Sequence, residues 1–369
     1  MKNQRIYLSP PSVGEEELAE VSKSLASGWV APIGPSIDAF ESELAKKYEG
    51  REVVALNSGT SALHLALVMA GVGANDHVLV SSFTFAACAN VVIYQGAIPV
   101  FLDSEEVTWN LDPGALSEYL RTAAKTPKAL VVTHLYGMPA QINEIIRIAK
   151  EHDIIVIEDA AEALGARLND EEVGTMSDYG ILSFNGNKII TTSGGGALIC
   201  REEDKSRAIY LATQANSGEL TYDHKEVGYN YRISNVLAGI GLGQLKQLES
   251  FIEKKRWIFD RYKSELEDHF KFLEEPPVCF SNRWLTTCTL KDLDKDIMDL
   301  IQFLNSHNIE SRRLWKPLHL HEAYDDYAFH GSGVCEEIFE KGICIPSGTG
   351  LTTDEQDYVI ATVKKWFQS

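Results

Sequence analysis

Between residues 53 and 159 short apolar runs alternate with stretches of helical spacing. "VVAL" (53–56) precedes "TSALHLALVMAG" (60–71), and "HVLV" (77–80) precedes "FTFAACANVVIYQG" (83–96). "IPVFLD" (98–103) precedes a helical stretch opening near Asp112, "ALVVTHL" (129–135) precedes "AQINEIIRIAKEH" (140–152), and "IIVIED" (154–159) follows. Runs apolar on both faces must be covered on both sides, so the pattern predicts a mostly parallel sheet flanked by helices, an α/β fold. Ahead of it, residues 15–27 have helical spacing and stop at Gly28. A long helical pattern opens near Ser234, with Leu237, Ile240, Leu245, Leu248 and Ile252 on one face, and reads as a bridge out of the first domain. After about residue 270 the pattern shortens to stretches such as "RWLTTCTL" and "DKDIMDLIQFLNSHN". The expected organisation is a large domain over 1–245 and a smaller α+β domain over 246–369.

Composition excludes some function classes. The formal net charge is −19, which repels nucleic acid and anionic membrane at long range, so neither is expected as a partner. An anionic ligand would need a local basic cluster. No apolar run reaches the roughly eighteen residues of a membrane helix, and the first residues lack the apolar region of a signal peptide. The six cysteines are scattered without CxxC spacing. They read as reduced thiols of a cytoplasmic protein, with no metal site expected.

Ligands of open parallel sheets bind beyond the carboxyl ends of the strands, so those ends carry the functional signal. "NSGTSALHLAL" places hydroxyls and amides at a helix N-terminus, which suits either a phosphate or a plain N-cap by Ser58 or Thr60. It lacks the G-K-[ST] ending of a Walker loop, and no G-x-G-x-x-G follows the first strand. "IIVIEDAAEALG" ends a buried run in Glu158-Asp159, where Asp159 is either a helix N-cap or the partner of a protonated ring nitrogen. Phe83 and Phe85 of "SSFTFAA" are either core residues or a flat face for a planar ring. "SFNGNKIITTSGGGAL" holds a single lysine, Lys188, as a loop residue or as the amine of a Schiff base, before a glycine run that alone means a tight turn. Together these are the parts of a pyridoxal-phosphate site: phosphate cup, stacking ring, carboxylate and amine.

In these motifs the sequence resembles the sugar-nucleotide aminotransferases of the DegT/DnrJ/EryC/StrS group, which have the pyridoxal-phosphate-dependent transferase fold of type I (aspartate aminotransferase-like). The resemblance runs through "LSPPSVGEEE", "SGWVAPIGPSIDAFESELA", "THLYG", "GYNYRISNVLAGIGLGQL", "IESRRLWKPLH" and "KGICIPSG". It implies a large domain with a mostly parallel seven-stranded sheet and pyridoxal 5'-phosphate as cofactor. Lys188 would carry the Schiff base and shuttle the proton, Asp159 would bind the pyridinium nitrogen, and Phe85 would stack on the ring. Gly59, Thr60 and Ser183 would hold the phosphate, and Asn230 would reach it from the other subunit of an obligate homodimer. Glu162 would lie beside the ring's 3'-oxygen, and Asn185 stands where many relatives have His. An amine that attacks a carbonyl at neutral pH must be unprotonated or stored as an imine, which is why a lysine is needed.

"SFNGNK", "EDAAEALG" and "SRRLWKPLH" resemble enzymes that aminate C4 of 4-keto-6-deoxy sugars, closest to the UDP-sugar enzyme of the bacillosamine pathway. The implied cycle is ping-pong, with L-glutamate as donor and a nucleotide-linked keto sugar as acceptor. Candidate substrate contacts are Trp29, Ala31, Pro32, Trp315 and His319. Candidate counter-charges for the diphosphate are Arg232, Arg312 and Lys316, with Arg313 as either a surface charge or a further one. The alternatives are a GDP-linked substrate, as in perosamine synthesis, and a non-catalytic regulatory protein on the same fold.

Overall fold

A computed structural model describes residues 5–218, 223–292 and 294–368. Helices α1 (Glu15–Ala26) and α2 (Pro35–Ala45) precede strand β1 (Glu52–Leu56) and helix α3 (Gly59–Met69). Then come β2 (His77–Ser81), α4 (Ala87–Tyr94), β3 (Ile98–Leu102), α5 (Pro113–Thr122), β4 (Ala129–Thr133), α6 (Ile142–Lys150) and β5 (Ile155–Asp159). Strands β6 (Tyr179–Ser183) and β7 (Gly196–Cys200) flank the glycine-rich stretch, and α7 (Glu202–Ala212) follows.

The large sheet runs β1-β7-β6-β5-β4-β2-β3, and only β7 is reversed. An eighth strand, Phe329–His330, joins it parallel to β3. The expected count of seven holds for the N-terminal part. The added edge strand comes from the C-terminal part, and two residues are too short to leave a pattern of their own. Both faces are buried, as the apolar runs require. Val53 and Ala55 of β1 enter a core with Phe40 and Leu44 of α2, while Val54 and Leu56 enter another with Leu63 and Leu67 of α3.

The helical pattern from Ser234 is two helices, α8 (Asn235–Leu245) and α9 (Leu248–Leu266), interrupted at Lys246-Gln247. The apolar face continues across the break, which is why spacing alone reads it as one helix. An antiparallel sheet of Phe270–Phe272, Thr286–Leu290, Gly342–Ile345 and Arg312–Arg313 forms the C-terminal part. Its core holds Ile258 and Tyr262 of α9 together with Ile6, which bridges to Ile309. So the N-terminal segment packs with the smaller sheet, and strand Phe329–His330 packs with the larger one. Leu8, Phe83, Tyr136 and Trp284 belong to a further apolar cluster, and Trp284 also lines the cavity described next. Among the described residues no helix is long and apolar enough to cross a membrane.

Candidate active site

The carboxyl ends of β1, β2, β4, β5 and β6 open into one cavity of about 470 Å³. Its lining includes Gly59 and Thr60 after β1, Thr84 and Phe85 after β2, Thr133 of β4, and Asp159 and Glu162 at the end of β5. Ser183, Asn185 and Lys188 follow from β6, and Trp284, Arg312 and Trp315 close the far side.

Helix α3 begins as a plain N-cap and also as an anion cup. Ser58 Oγ accepts the amide of Ser61 at 3.0 Å. That occupies the hydroxyl on the third amide of the helix and leaves those of Gly59 and Thr60 without an intrahelical acceptor. They face the cavity with the positive end of the helix dipole. The glycine run explains why they stay accessible. A Cβ at Gly196 would overlap the amide nitrogen of Gly59, and one at Gly59 would come within 3.0 Å of Ser183 Cβ. The third glycine of "SGGG" is therefore a packing requirement of the helix start, beyond the tight turn its composition suggests.

Phe83 and Phe85 separate cleanly. Phe83 is buried in the core, whereas Phe85 is 52% exposed on the cavity wall, 5.3 Å from the Trp315 ring. An aromatic ring left open on a cavity wall is a face for a planar ligand. Asp159 is buried and accepts the amide of Ala161 at Oδ1 (3.1 Å) and the thiol of Cys88 at Oδ2 (3.0 Å). A turn follows it instead of an α-helix, so helix capping does not account for it.

Lys188 is largely buried, with Nζ 3.5 Å from Glu162 Oε1 and 4.1 Å from the centre of the Trp284 ring. Glu162 Oε2 accepts the amide of Tyr136 at 2.7 Å, and Oε1 accepts the indole N–H of Trp315 at 3.3 Å. Burial pushes the Glu162 carboxyl above its ordinary range, against the pull of Lys188. Tyr136 reaches this position in the left-handed region (φ 52°), and its hydroxyl accepts the amide of Trp315 at 2.8 Å. Its ring lies parallel to that of Trp315, 6.4 Å away. The neighbouring carboxylate, Glu158, is not part of the cavity. It is fully buried, accepts His134 Nε2–H at 3.0 Å and takes the amides of Gly174, Met176 and Ser177. His134 and these amides hold it below its ordinary range although burial acts the other way.

Several expected substrate contacts lie elsewhere. Arg232 is not a free counter-charge, because its guanidinium pairs with Glu41 and donates to the carbonyl of Ala55. His319 bonds Ser82 Oγ and Glu336 and stacks on Phe329 at 3.8 Å, which makes it a structural histidine. Arg313 donates to the carbonyl of Phe339 and pairs with Glu340, both on one helix, and does not line the cavity. Lys316 is exposed and does not line the cavity. Trp29, Ala31 and Pro32 are exposed on a segment whose carbonyls at Trp29 and Ala31 accept from Asn235. Pro32, Asn230 and Arg232 line a separate cleft with Gln214 and His224. Arg312 and Trp315 are at the cavity, Arg312 already paired with Glu310 at 2.7 Å. Trp284, Thr84, Thr133 and Asn187 also line it without having stood out in the sequence. Nothing local marks Trp284. It reaches Lys188 only through the packing of the two sheets, with its indole N–H on the carbonyl of Asn187 at 2.7 Å.

Residues 11–364 match the DegT/DnrJ/EryC1/StrS aminotransferase family. The chain belongs to this family. It is 44% identical to a Bacillus subtilis (strain 168) protein named pyridoxal phosphate-dependent aminotransferase EpsN, over 100% of this chain and 99% of that protein. It is 31% identical to GDP-perosamine synthase of Escherichia coli O157:H7, over 97% of each. Among solved structures, the PLP-form of the Streptococcus pneumoniae protein named sugar aminotransferase Spr1654 superposes with a TM-score of 0.90 at 27% identity, covering 98% of each chain. The chain is thus a sugar aminotransferase of the pyridoxal-phosphate transferase fold, and pyridoxal 5'-phosphate is its cofactor. The cavity fits that group: free helix amides for a phosphate, an open aromatic face, a buried carboxylate and an amine all border it. When bound, the cofactor supplies an aldehyde and an electron-withdrawing ring.

Proposed function

We propose that the chain moves an amino group from L-glutamate to the C4 keto carbon of a UDP-linked 4-keto-6-deoxy sugar bearing an N-acetylamino group. The product would be a UDP-linked 4-amino-4,6-dideoxy sugar for glycan synthesis. The observation that carries the reading is the placement of Lys188 Nζ beside Glu162 in the same cavity as Asp159 and the α3 amides. Lys188 is the amine that anchors the cofactor and the base that moves a proton at the reacting carbon. Asp159 keeps the ring nitrogen protonated, Phe85 covers the ring, and Gly59, Thr60 and Ser183 hold the phosphate. Glu162, with its carboxyl held above its ordinary range by burial, would share a proton with the 3'-oxygen of the bound ring.

Of the candidate cations for a diphosphate, Arg312 lines the cavity and would have to exchange its pairing with Glu310, while Lys316 is exposed outside the lining. The C4 reading rests on the resemblance of "SFNGNK", "EDAAEALG" and "SRRLWKPLH" to enzymes that aminate C4 of 4-keto-6-deoxy sugars, and the uridine reading on the further resemblance to the UDP-sugar enzyme of the bacillosamine pathway. A GDP-linked substrate is the second reading, favoured by the similarity to GDP-perosamine synthases. Asn230 lies outside its own chain's cavity, in the cleft with Pro32, and serves the phosphate of a second copy in a homodimer.

The test is spectroscopic. Holoenzyme treated with L-glutamate loses the absorbance of the aldehyde-form cofactor, and the separated amine form is then offered UDP- and GDP-linked 4-keto-6-deoxy sugars. Return of the absorbance with the UDP sugar supports the reading. Return with the GDP sugar alone replaces it by the second. No loss with any amino donor defeats both.

A further inference from the structure

Asp159 has a neighbour that the reading above leaves unused. Cys88 lies in the first turn of α4, fully buried, and its thiol donates to Asp159 Oδ2 at 3.0 Å. Cys88 belongs to the apolar core that α3 and α4 share, but its sulfur also has polar neighbours. Thr84 Oγ1 and Thr133 Oγ1 lie 2.9 Å apart and within 3.7 and 3.8 Å of the sulfur. Burial and the charge of Asp159 push deprotonation of the thiol far up, so it keeps its hydrogen and faces the carboxylate as a donor. The other oxygen, Oδ1, is held by the amide of Ala161 at 3.1 Å. One donor on each oxygen stops the carboxylate from turning, and each oxygen keeps a lone pair for the cavity. The same turn carries Phe85, whose carbonyl accepts the Cys88 amide at 3.2 Å. One backbone segment therefore sets the exposed ring and the backing of the carboxylate together.

We propose that Cys88 is a positioning residue for the reaction: its thiol, flanked by the Thr84 and Thr133 hydroxyls, orients the Asp159 carboxylate toward the protonated ring nitrogen of the cofactor. This rests on the assignment of Asp159 as the partner of that nitrogen. A donor is required at position 88, and a side chain of similar volume without one does not replace it.

The experiment compares Cys88→Ala and Cys88→Ser with the unmodified protein and with Asp159→Asn. Three quantities are read: the dissociation constant of pyridoxal phosphate from the apoprotein by intrinsic fluorescence, the pH midpoint of the bound cofactor's absorbance, and kcat against KM. A lost hydrogen bond to a charged group predicts that Cys88→Ala weakens cofactor binding several-fold and lowers kcat by about tenfold, with KM for both substrates within about twofold. Its pH midpoint moves as well. Cys88→Ser keeps a donor and restores all three to within about twofold. Cys88→Ala indistinguishable from the unmodified protein overturns the proposal, and so do equal losses in the Ala and Ser variants, which would show that only volume matters. Should Asp159→Asn stay active, the assignment of Asp159 fails. Should Asp159→Asn lose activity while Cys88→Ala does not, only the role of Cys88 fails.

Discussion

Replacing Glu162 with Gln removes an ionisable proton from the cavity while keeping the side-chain volume. Glu162 Oε1 is 3.5 Å from Lys188 Nζ, and two unit charges at that separation attract by about 5 kcal/mol at an effective dielectric constant of about 20. Burial outweighs that attraction, because the carboxyl is held above its ordinary range. The sign of the pH dependence follows. A raised acid binds its proton more tightly in the folded chain than in the unfolded one. Stability is therefore full below the unfolded value, about 4.3, and falls as pH rises through the folded value, by about 1.4 kcal/mol per unit between the two. Gln has no such proton. It brings one pH-independent loss, since its single oxygen cannot serve both Tyr136 N–H and Trp315 Nε1–H, at a cost of about 1 kcal/mol. Urea unfolding of the apoprotein at a series of pH values separates the two effects. The difference between Glu162→Gln and the unmodified protein moves in favour of the variant as pH rises from about 4 to about 8. In the holoenzyme the same change shifts the pH at which the bound cofactor changes colour. A stability difference flat with pH, together with an unchanged colour titration, would refute the reasoning.

Other outcomes follow from the same geometry. Lys188→Ala lowers the glutamate-driven half-reaction by roughly 10³-fold or more in single-turnover absorbance measurements, while the α3 phosphate cup still retains cofactor detectable after gel filtration. His134→Ala leaves Glu158 buried without its side-chain donor and costs about 3–5 kcal/mol in urea unfolding. Because Glu158 is held below its ordinary range, the stability it contributes in the unmodified protein is present above about pH 4.3 and is lost as pH falls through its folded value. For the proposed homodimer, mixing inactive Lys188→Ala with inactive Asn230→Ala chains, unfolded and refolded together, restores activity to about a quarter of the native level, because half of such dimers would be hybrids with one intact site. No recovery would remove Asn230 from the partner's site.

Much of the fold was legible because strands buried on both faces leave uninterrupted apolar runs. The five runs from "VVAL" to "IIVIED" became β1 to β5 with shifts of a residue or two. The single helix expected after Ser234 proved to be two because spacing reports which residues are apolar, not whether the backbone continues, and the eighth strand was missed because two residues leave no pattern. The charged candidates fared unevenly for a related reason. A sequence shows that Arg232 and His319 are available, but whether each already has a partner, Glu41 for one, Ser82 and Glu336 for the other, is a matter of distance.

The sequence by itself determined the strand-end chemistry: where Gly59, Phe85, Asp159 and Lys188 stand relative to the runs that carry them, since Asp159 ends its strand and the others follow theirs within five residues. Tertiary structure decided the rest. Parallel strands bring their carboxyl ends to one edge, so residues far apart in the chain share a cavity. Trp284 and Trp315 come from the segments flanking strands of the other sheet, and Cys88 on α4 meets Asp159 at the end of β5. Whether a buried carboxylate is an anchor, like Glu158, or a group poised in a cavity, like Glu162, depends on how many amides and which cation surround it, and that count exists only once the chain is folded.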